Sequence, residues 1–111
     1  MKPPYVIQFA RAAEMCLSDI ESLKITTVGA EAAAHFVDAL LDDIVEHLEN
    51  DPLRYRQNIQ LAELGFDARE FLEPNGYRTL YGVKEQVIDV WLVLHTRQDS
   101  EKALWRYMMF R

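Results

Sequence analysis

Hydrophobic and polar positions alternate, group and break along this chain in a pattern that predicts its elements directly. Tyr5-Val6-Ile7-Gln8-Phe9 is short, β-branched and aromatic, and it follows two prolines. It reads as a strand whose entrance the prolines keep free of ladder donors. From Ala10 to Leu23 the period changes. Ala13, Cys16, Leu17, Ile20 and Leu23 recur at steps of three and four and share one helical face. The β-branched run Ile25-Thr26-Thr27-Val28 ending in Gly29 is expected to break that helix. A longer helix, Ala30 to Asn50, carries Phe36, Val37, Leu40, Leu41, Ile44 and Leu48 on one stripe and stops at Asn50-Asp51-Pro52. The short connector predicts an antiparallel helical hairpin.

Residues 51–65 read as a connector with a helical turn around Arg56–Leu64. Three strands follow: Phe66–Leu72, Tyr77–Lys84 and Gln86–His95. Glu73-Pro74-Asn75-Gly76 makes the first turn, where Asn-Gly is a hairpin signal, and Lys84-Glu85 makes the second. In the last strand Ile88, Val90, Leu92 and Leu94 form a wholly apolar face, expected to lie under the hairpin. Val87, Asp89, Trp91, Val93 and His95 form a mixed one. Asp99-Ser100 caps a helix predicted over Glu101–Arg111. The order is strand, two helices, three strands and a final helix. That is an α+β domain spanning residues 1–111, with a helical hairpin on one face of a small, mostly antiparallel sheet.

Composition narrows the function classes. The chain has 111 residues, half of them apolar, and no apolar run long enough for a membrane helix. The N-terminus lacks a signal-peptide core, so a cytoplasmic location is expected. A single cysteine, Cys16, excludes an internal disulfide and a Cys-based zinc site. The net charge is −6, unevenly spread. Residues 10–50 hold two basic and nine acidic side chains, whereas residues 51–111 hold nine of each and seven of the eight arginines. A local cationic site in the second half is therefore compatible with the acidic total.

Candidate chemistry is sparse. No phosphate-binding glycine loop, zinc-protease motif or nucleophile elbow is present. His35 and His47 sit more than three helical turns apart and cannot share a metal, so neither metal nor cofactor is expected. The carboxylates Asp38, Asp42, Asp43, Glu46 and Glu49 read as a solvated helix face, and Cys16 as a core residue. The set on the strands is more informative. Arg69, Arg78, His95 and Arg97 come from successive strands or their ends, with Tyr77 and Tyr81 beside them. Arginine forks suit phosphate, histidine moves a proton near neutral pH, and tyrosine stacks on a base. Such a set suits RNA binding and cleavage at a 2′-hydroxyl. The competing assignment pairs Arg69 and Arg78 with Glu70, Glu73 or Asp89 across the strands and leaves His95 capping the sheet's edge.

Tyr77-Arg78-Thr79-Leu80-Tyr81-Gly82-Val83, followed by Val90-Trp91-Leu92-Val93-Leu94-His95-Thr96-Arg97-Gln98-Asp99, resembles the RelE/ParE superfamily. These are toxins of bacterial type II toxin–antitoxin systems, the plasmid-stabilisation proteins. The resemblance is tightest over residues 66–100, and the β-α-α-β-β-β order extends it. It implies a small cytoplasmic toxin silenced by a cognate antitoxin. RelE-like members cleave mRNA on the ribosome; carried over by position, Arg78, His95 and Arg97 would be the catalytic candidates. Arg69, Tyr77 and Tyr81 would bind RNA or another target. ParE-like members poison DNA gyrase without that residue set. The apolar Trp91, Trp105 and Met108 would offer an antitoxin dock. The chain departs from the strongly basic ribosome-dependent nucleases in being −6, and it lacks their lysine-rich stretch before the catalytic strand. The resemblance therefore points first to gyrase inhibition, with ribosome-dependent mRNA cleavage as the alternative and a non-toxic paralogue that acts only by binding as a third reading.

Overall fold

The computed structural model describes residues 4–108. The elements are β1 (Val6–Phe9), α1 (Arg11–Val28), α2 (Ala30–Asn50), α3 (Ile59–Glu63), β2 (Arg69–Glu73), β3 (Tyr77–Lys84), β4 (Val87–His95) and α4 (Ser100–Met108). One sheet has the order β1-β4-β3-β2; β1 runs parallel to β4, and the other pairs are antiparallel. The expected α+β class, helical hairpin and C-terminal helix are all present. The last three positions of the predicted final helix, 109–111, lie outside the described residues.

Three features differ from the sequence expectation. Helix α1 runs five residues past Leu23. The β-branched residues expected to end it are accommodated because Thr26 Oγ1 donates to the Leu23 carbonyl (2.6 Å) and Thr27 Oγ1 to that of Lys24 (3.1 Å). The break comes at Gly29, whose φ of 89° suits glycine and lets α2 start at once. Strand β2 starts at Arg69 rather than Phe66. The Phe66 amide turns back to the Leu61 carbonyl (2.9 Å), and its ring packs edge-on against Trp91.

The third difference lies within β4. Leu80 pairs with Leu92 but Tyr81 pairs with Val90, so Trp91 is an extra residue and β4 bulges there. The bulge splits the apolar face expected to lie whole under the hairpin. Ile88 and Val90 share a face with Tyr81, Thr79 and Val93, whereas Leu92 and Leu94 oppose Leu80 and Arg78 on the other face. Trp91 closes over Gly82, where a Cβ would stand 3.1 Å from its Cζ2. A side chain at position 82 would push the indole away.

Both faces of the sheet are covered. The hairpin's buried Ala13, Cys16, Leu17, Ile20, Val37, Leu40, Ile44 and Leu48 belong to the core with Phe71, Tyr81, Ile88, Val90 and Val93. On the far face, α3 and α4 bring Leu61, Ala103 and Leu104 to the buried Leu80, Leu92 and Leu94. Burying such a side chain contributes about 1.5–3 kcal/mol each. The amphipathic periods thus explain both the hairpin and α4. Leu23 is the exception: its stripe continues beyond the sheet, and it is 71% exposed.

Candidate functional site

The register decides which of the strand-borne polar residues meet. Tyr77 pairs with His95 and Arg69 with Tyr81, all on the hairpin side; Arg78 pairs with Leu94 and Leu72 and points the opposite way. The candidate arginines therefore do not converge on one face.

On the far side, Arg78 Nη1 lies 3.6 Å from Glu70 Oε2, and its other terminal nitrogen donates to the Gln98 carbonyl. Arg56 approaches the same carboxylate at 3.8 Å. Glu70 is one of the cross-strand partners that the acidic neighbours of Arg78 suggested. The guanidinium thereby ties the turn after β4 to the sheet. Asn58 extends this tie: its Oδ1 accepts from the Leu61 amide (2.9 Å) and caps α3, while its Nδ2 donates to Ser100 Oγ (3.4 Å).

On the hairpin side, Arg69 Nη1 donates to the carbonyls of Tyr55 (2.6 Å) and Leu53 (3.2 Å). Tyr81 is fully buried and its hydroxyl donates to the Pro52 carbonyl; burial pushes its phenol well above the ordinary value. A ring in that position has no open face for a base. Arg69 and Tyr81 together hold the chain that follows α2 against the sheet.

Tyr77 and His95 lie at the other end of the same face. Their rings meet edge-on at 5.7 Å, and Tyr77 also packs edge-on against Phe36 at 5.8 Å. Burial, and then the nearby Glu73 charge, raises the Tyr77 phenol. His95 Nδ1 accepts from the Arg97 amide (3.2 Å), which leaves Nε2 as the proton-bearing nitrogen of the neutral ring. Arg97 itself is exposed in the turn.

Tyr77 and His95 form one wall of a groove of about 770 Å³. Its long wall is α1, from Cys16 to Thr27, and its third wall is α4, at Arg106 and Tyr107. The groove exists because β1 is short. It pairs with β4 only as far as Val90, so the outer edge of β4 beyond that point faces α1 and α4 instead of a strand. Cys16 fills the deepest part of this gap. Burial pushes its thiol up to about 11, opposed by the backbone of Val93. Tyr107 donates its hydroxyl to Asp19 Oδ2 (2.7 Å) and so ties α4 to α1. No signal in the sequence marked this groove, since its α1 wall is fifty or more positions from the other two.

Two of the three residues of the expected apolar dock are described with their side chains. Trp91 is half-buried against Gly82 and Phe66, while Trp105 stands 57% exposed on α4. Met108 closes α4, and its side chain lies outside what is described. Among the described residues no group of histidine, cysteine or carboxylate side chains is placed to hold a metal, and no helix is long and apolar enough to cross a membrane.

No family model and no curated protein matches the chain. Among solved structures it is similar to the chromosomal ParDE TA system from P. aeruginosa, with a TM-score of 0.57 and 21% identity. The match covers 84% of this chain and 97% of that one. The likeness is one of fold. It agrees with the RelE/ParE-like architecture that the strand order and the two β-strand motifs suggested.

Proposed function

We propose that this chain is the toxin of a type II toxin–antitoxin pair, held silent by a cognate antitoxin and acting, when free, by binding DNA gyrase in the cytoplasm. The observation that carries the reading is the shared fold, which takes in nearly the whole length of the ParDE chain. The alternative, ribosome-dependent mRNA cleavage, asks Arg78, His95 and Arg97 to act together. The engagement of Arg78 with Glu70 and the Gln98 carbonyl, on the face opposite His95, favours the gyrase reading. So does the acidic total, because phosphate contacts supply most of a protein's non-specific RNA affinity. Binding a protein target requires no convergent catalytic set.

The test is induced expression without an antitoxin, following growth, mRNA integrity and plasmid supercoiling together. Arrest with intact mRNA and altered supercoiling is expected, and it should persist in His95→Ala and Arg97→Ala, whose side chains lie outside the core. Arrest with mRNA cut at codon boundaries, abolished by either substitution, would establish the nuclease reading instead. Folded protein that causes no arrest would leave a paralogue that acts only by binding.

A further inference from the structure

The connector from α2 to α3 is irregular, yet its backbone is bonded along most of its length. The Asp51 carbonyl accepts from the Arg54 amide (3.3 Å), and the Arg56 carbonyl from the Glu70 amide (3.0 Å). Between them, Tyr81 holds the Pro52 carbonyl and Arg69 holds those of Leu53 and Tyr55. Gln57 bridges to Arg69 and its Nε2 donates to Asp67 Oδ1 (2.6 Å), while the Asn58 amide donates to the Ala68 carbonyl (2.7 Å). The segment is thus fixed against the free edge of β2. Pro52 and Asn58 are buried, and the Tyr55 ring packs against Phe71 at 5.1 Å.

The side chains between these anchors point outward. Leu53 is 53% exposed, Arg54 is exposed, and the Arg56 side chain is 78% exposed. An exposed leucine alone is ordinary on a surface. A leucine between two outward arginines, on a backbone held in one conformation, is a preorganised contact. Residues 52–62 hold those two arginines and no carboxylate, in a chain of eighteen acids and twelve bases. Among the described residues Arg54 pairs with no carboxylate; its Cζ lies 5.9 Å from the Tyr55 ring centroid. Arg56 approaches Glu70 at 3.8 Å, but that carboxylate also serves Arg78, and so exposed an arginine is held weakly. Lys24 and Arg106 in the groove also lack a carboxylate partner among the described residues, but α4 ends beside them at Met108. The connector lies at the opposite edge of the sheet from β1, away from both ends of the described chain.

We infer that the outward side of this connector is the surface by which the free chain grips its target protein, and that it fits an acidic patch with an apolar centre. Leu53 fills the centre, and the Arg54 and Arg56 forks meet carboxylates around it. A backbone already ordered loses little freedom on binding, which is what the bracing by Arg69 and Tyr81 supplies. Nucleic acid is the poorer occupant. Two arginines neutralise few phosphates on a chain of net charge −6, and Leu53 has no part on a phosphate backbone. The inference rests on the proposed function in taking the target to be a protein.

The test uses the full chain with purified DNA gyrase, reading direct binding and inhibition of supercoiling. Arg54→Glu with Arg56→Glu is expected to weaken both by about tenfold or more, and Leu53→Asp to do the same. Arg11→Glu with Lys102→Glu makes the same change in net charge at exposed positions elsewhere, and should leave both readings within about twofold. All five positions are exposed, so the variants should keep the fold, which circular dichroism and urea unfolding verify. Wild-type inhibition that both connector variants retain, or that the control pair loses equally, would overturn the inference alone. A wild-type chain that neither binds nor inhibits gyrase would overturn the proposed function and the inference with it. Binding to a single-stranded RNA oligonucleotide that the arginine variant loses, with gyrase inhibition unchanged, would assign the surface to nucleic acid and overturn the inference as well.

Discussion

Tyr77 and Tyr81 stand four residues apart on the same face of β3, yet on that face the two ends of the strand treat their polar residues in opposite ways. Around Tyr81 the polar groups are consumed internally. Its hydroxyl and the Arg69 guanidinium satisfy carbonyls of residues 52, 53 and 55. On the reverse face, beside Tyr77, Arg78 is taken up by Glu70 and the Gln98 carbonyl. Around Tyr77 the rings of Phe36, Tyr77 and His95 build a wall, and the cations beside them keep their charge available. Residue type alone does not separate structural from functional side chains here. What separates them is whether the fold brings an acceptor within reach. At the Tyr81 end the connector after α2 supplies carbonyl acceptors, of which the buried Pro52 carbonyl would otherwise be unpaired. At the Tyr77 end β1 has already stopped, and an open edge remains.

The largest expected effect comes from breaking the tie on the reverse face of the sheet. Glu70→Ala leaves the Arg78 guanidinium half-buried with only the Gln98 carbonyl, and should destabilise the fold by about 2–3 kcal/mol in urea unfolding. Adding Arg78→Met to it should recover most of that loss, because the stranded charge is then gone. A loss that persists in the double variant would mean the ion pair is not its source.

A smaller and more direct contrast sets the two tyrosines against each other. Tyr81→Phe strands the Pro52 carbonyl in the core and should cost about 1–2 kcal/mol. Tyr77→Phe removes a hydroxyl from a groove wall and should stay within about 0.5 kcal/mol. Equal costs would erase the distinction drawn between the ends.

The smallest effect is a pH dependence spread across both regions. The Cys16 thiol titrates near 11 in the folded chain against an ordinary 9.0, and burial raises the phenols of Tyr77, Tyr81 and Tyr107 from 10.0. Each of these groups is neutral when protonated, so the unfolded chain loses its protons first as pH rises. Stability should therefore fall progressively from about pH 9 upwards, with no counterpart on these groups between pH 6 and 8. Cys16→Ser should remove the earliest part of that decline, read as a shift in the alkaline limb of the urea midpoint. An unchanged limb would show that Cys16 does not contribute to it.

Much of this architecture was legible before folding. The 3.6-residue period of α2, the Asn-Gly turn before β3 and the capping pair ahead of α4 are local signals, each set by interactions within a few residues. The cross-strand partnership of Arg78 with Glu70 was readable as one of several options, because strand neighbours carry opposite charges. The strand and helix motifs also carried the RelE/ParE resemblance, since topology and local pattern travel together. Less legible were features that local propensity opposes or that strand pairing decides. Threonine back-bonding kept α1 helical through a β-branched run. A single extra residue at Trp91 reversed the facing of half of β4, because side chains alternate with a period of two.

The sequence by itself determined the element order, the α+β class and the acidic hairpin surface, all of which arise from periodicity and composition over short windows. Tertiary structure alone decided that Arg69 and Tyr81 brace a connector, that Arg78 faces away from His95, and that Lys24 and Arg106 line one groove. Those outcomes depend on strand register, on where β1 ends, and on the path of α4 back to α1. Each is set by packing between residues far apart in the chain, where no local pattern reaches.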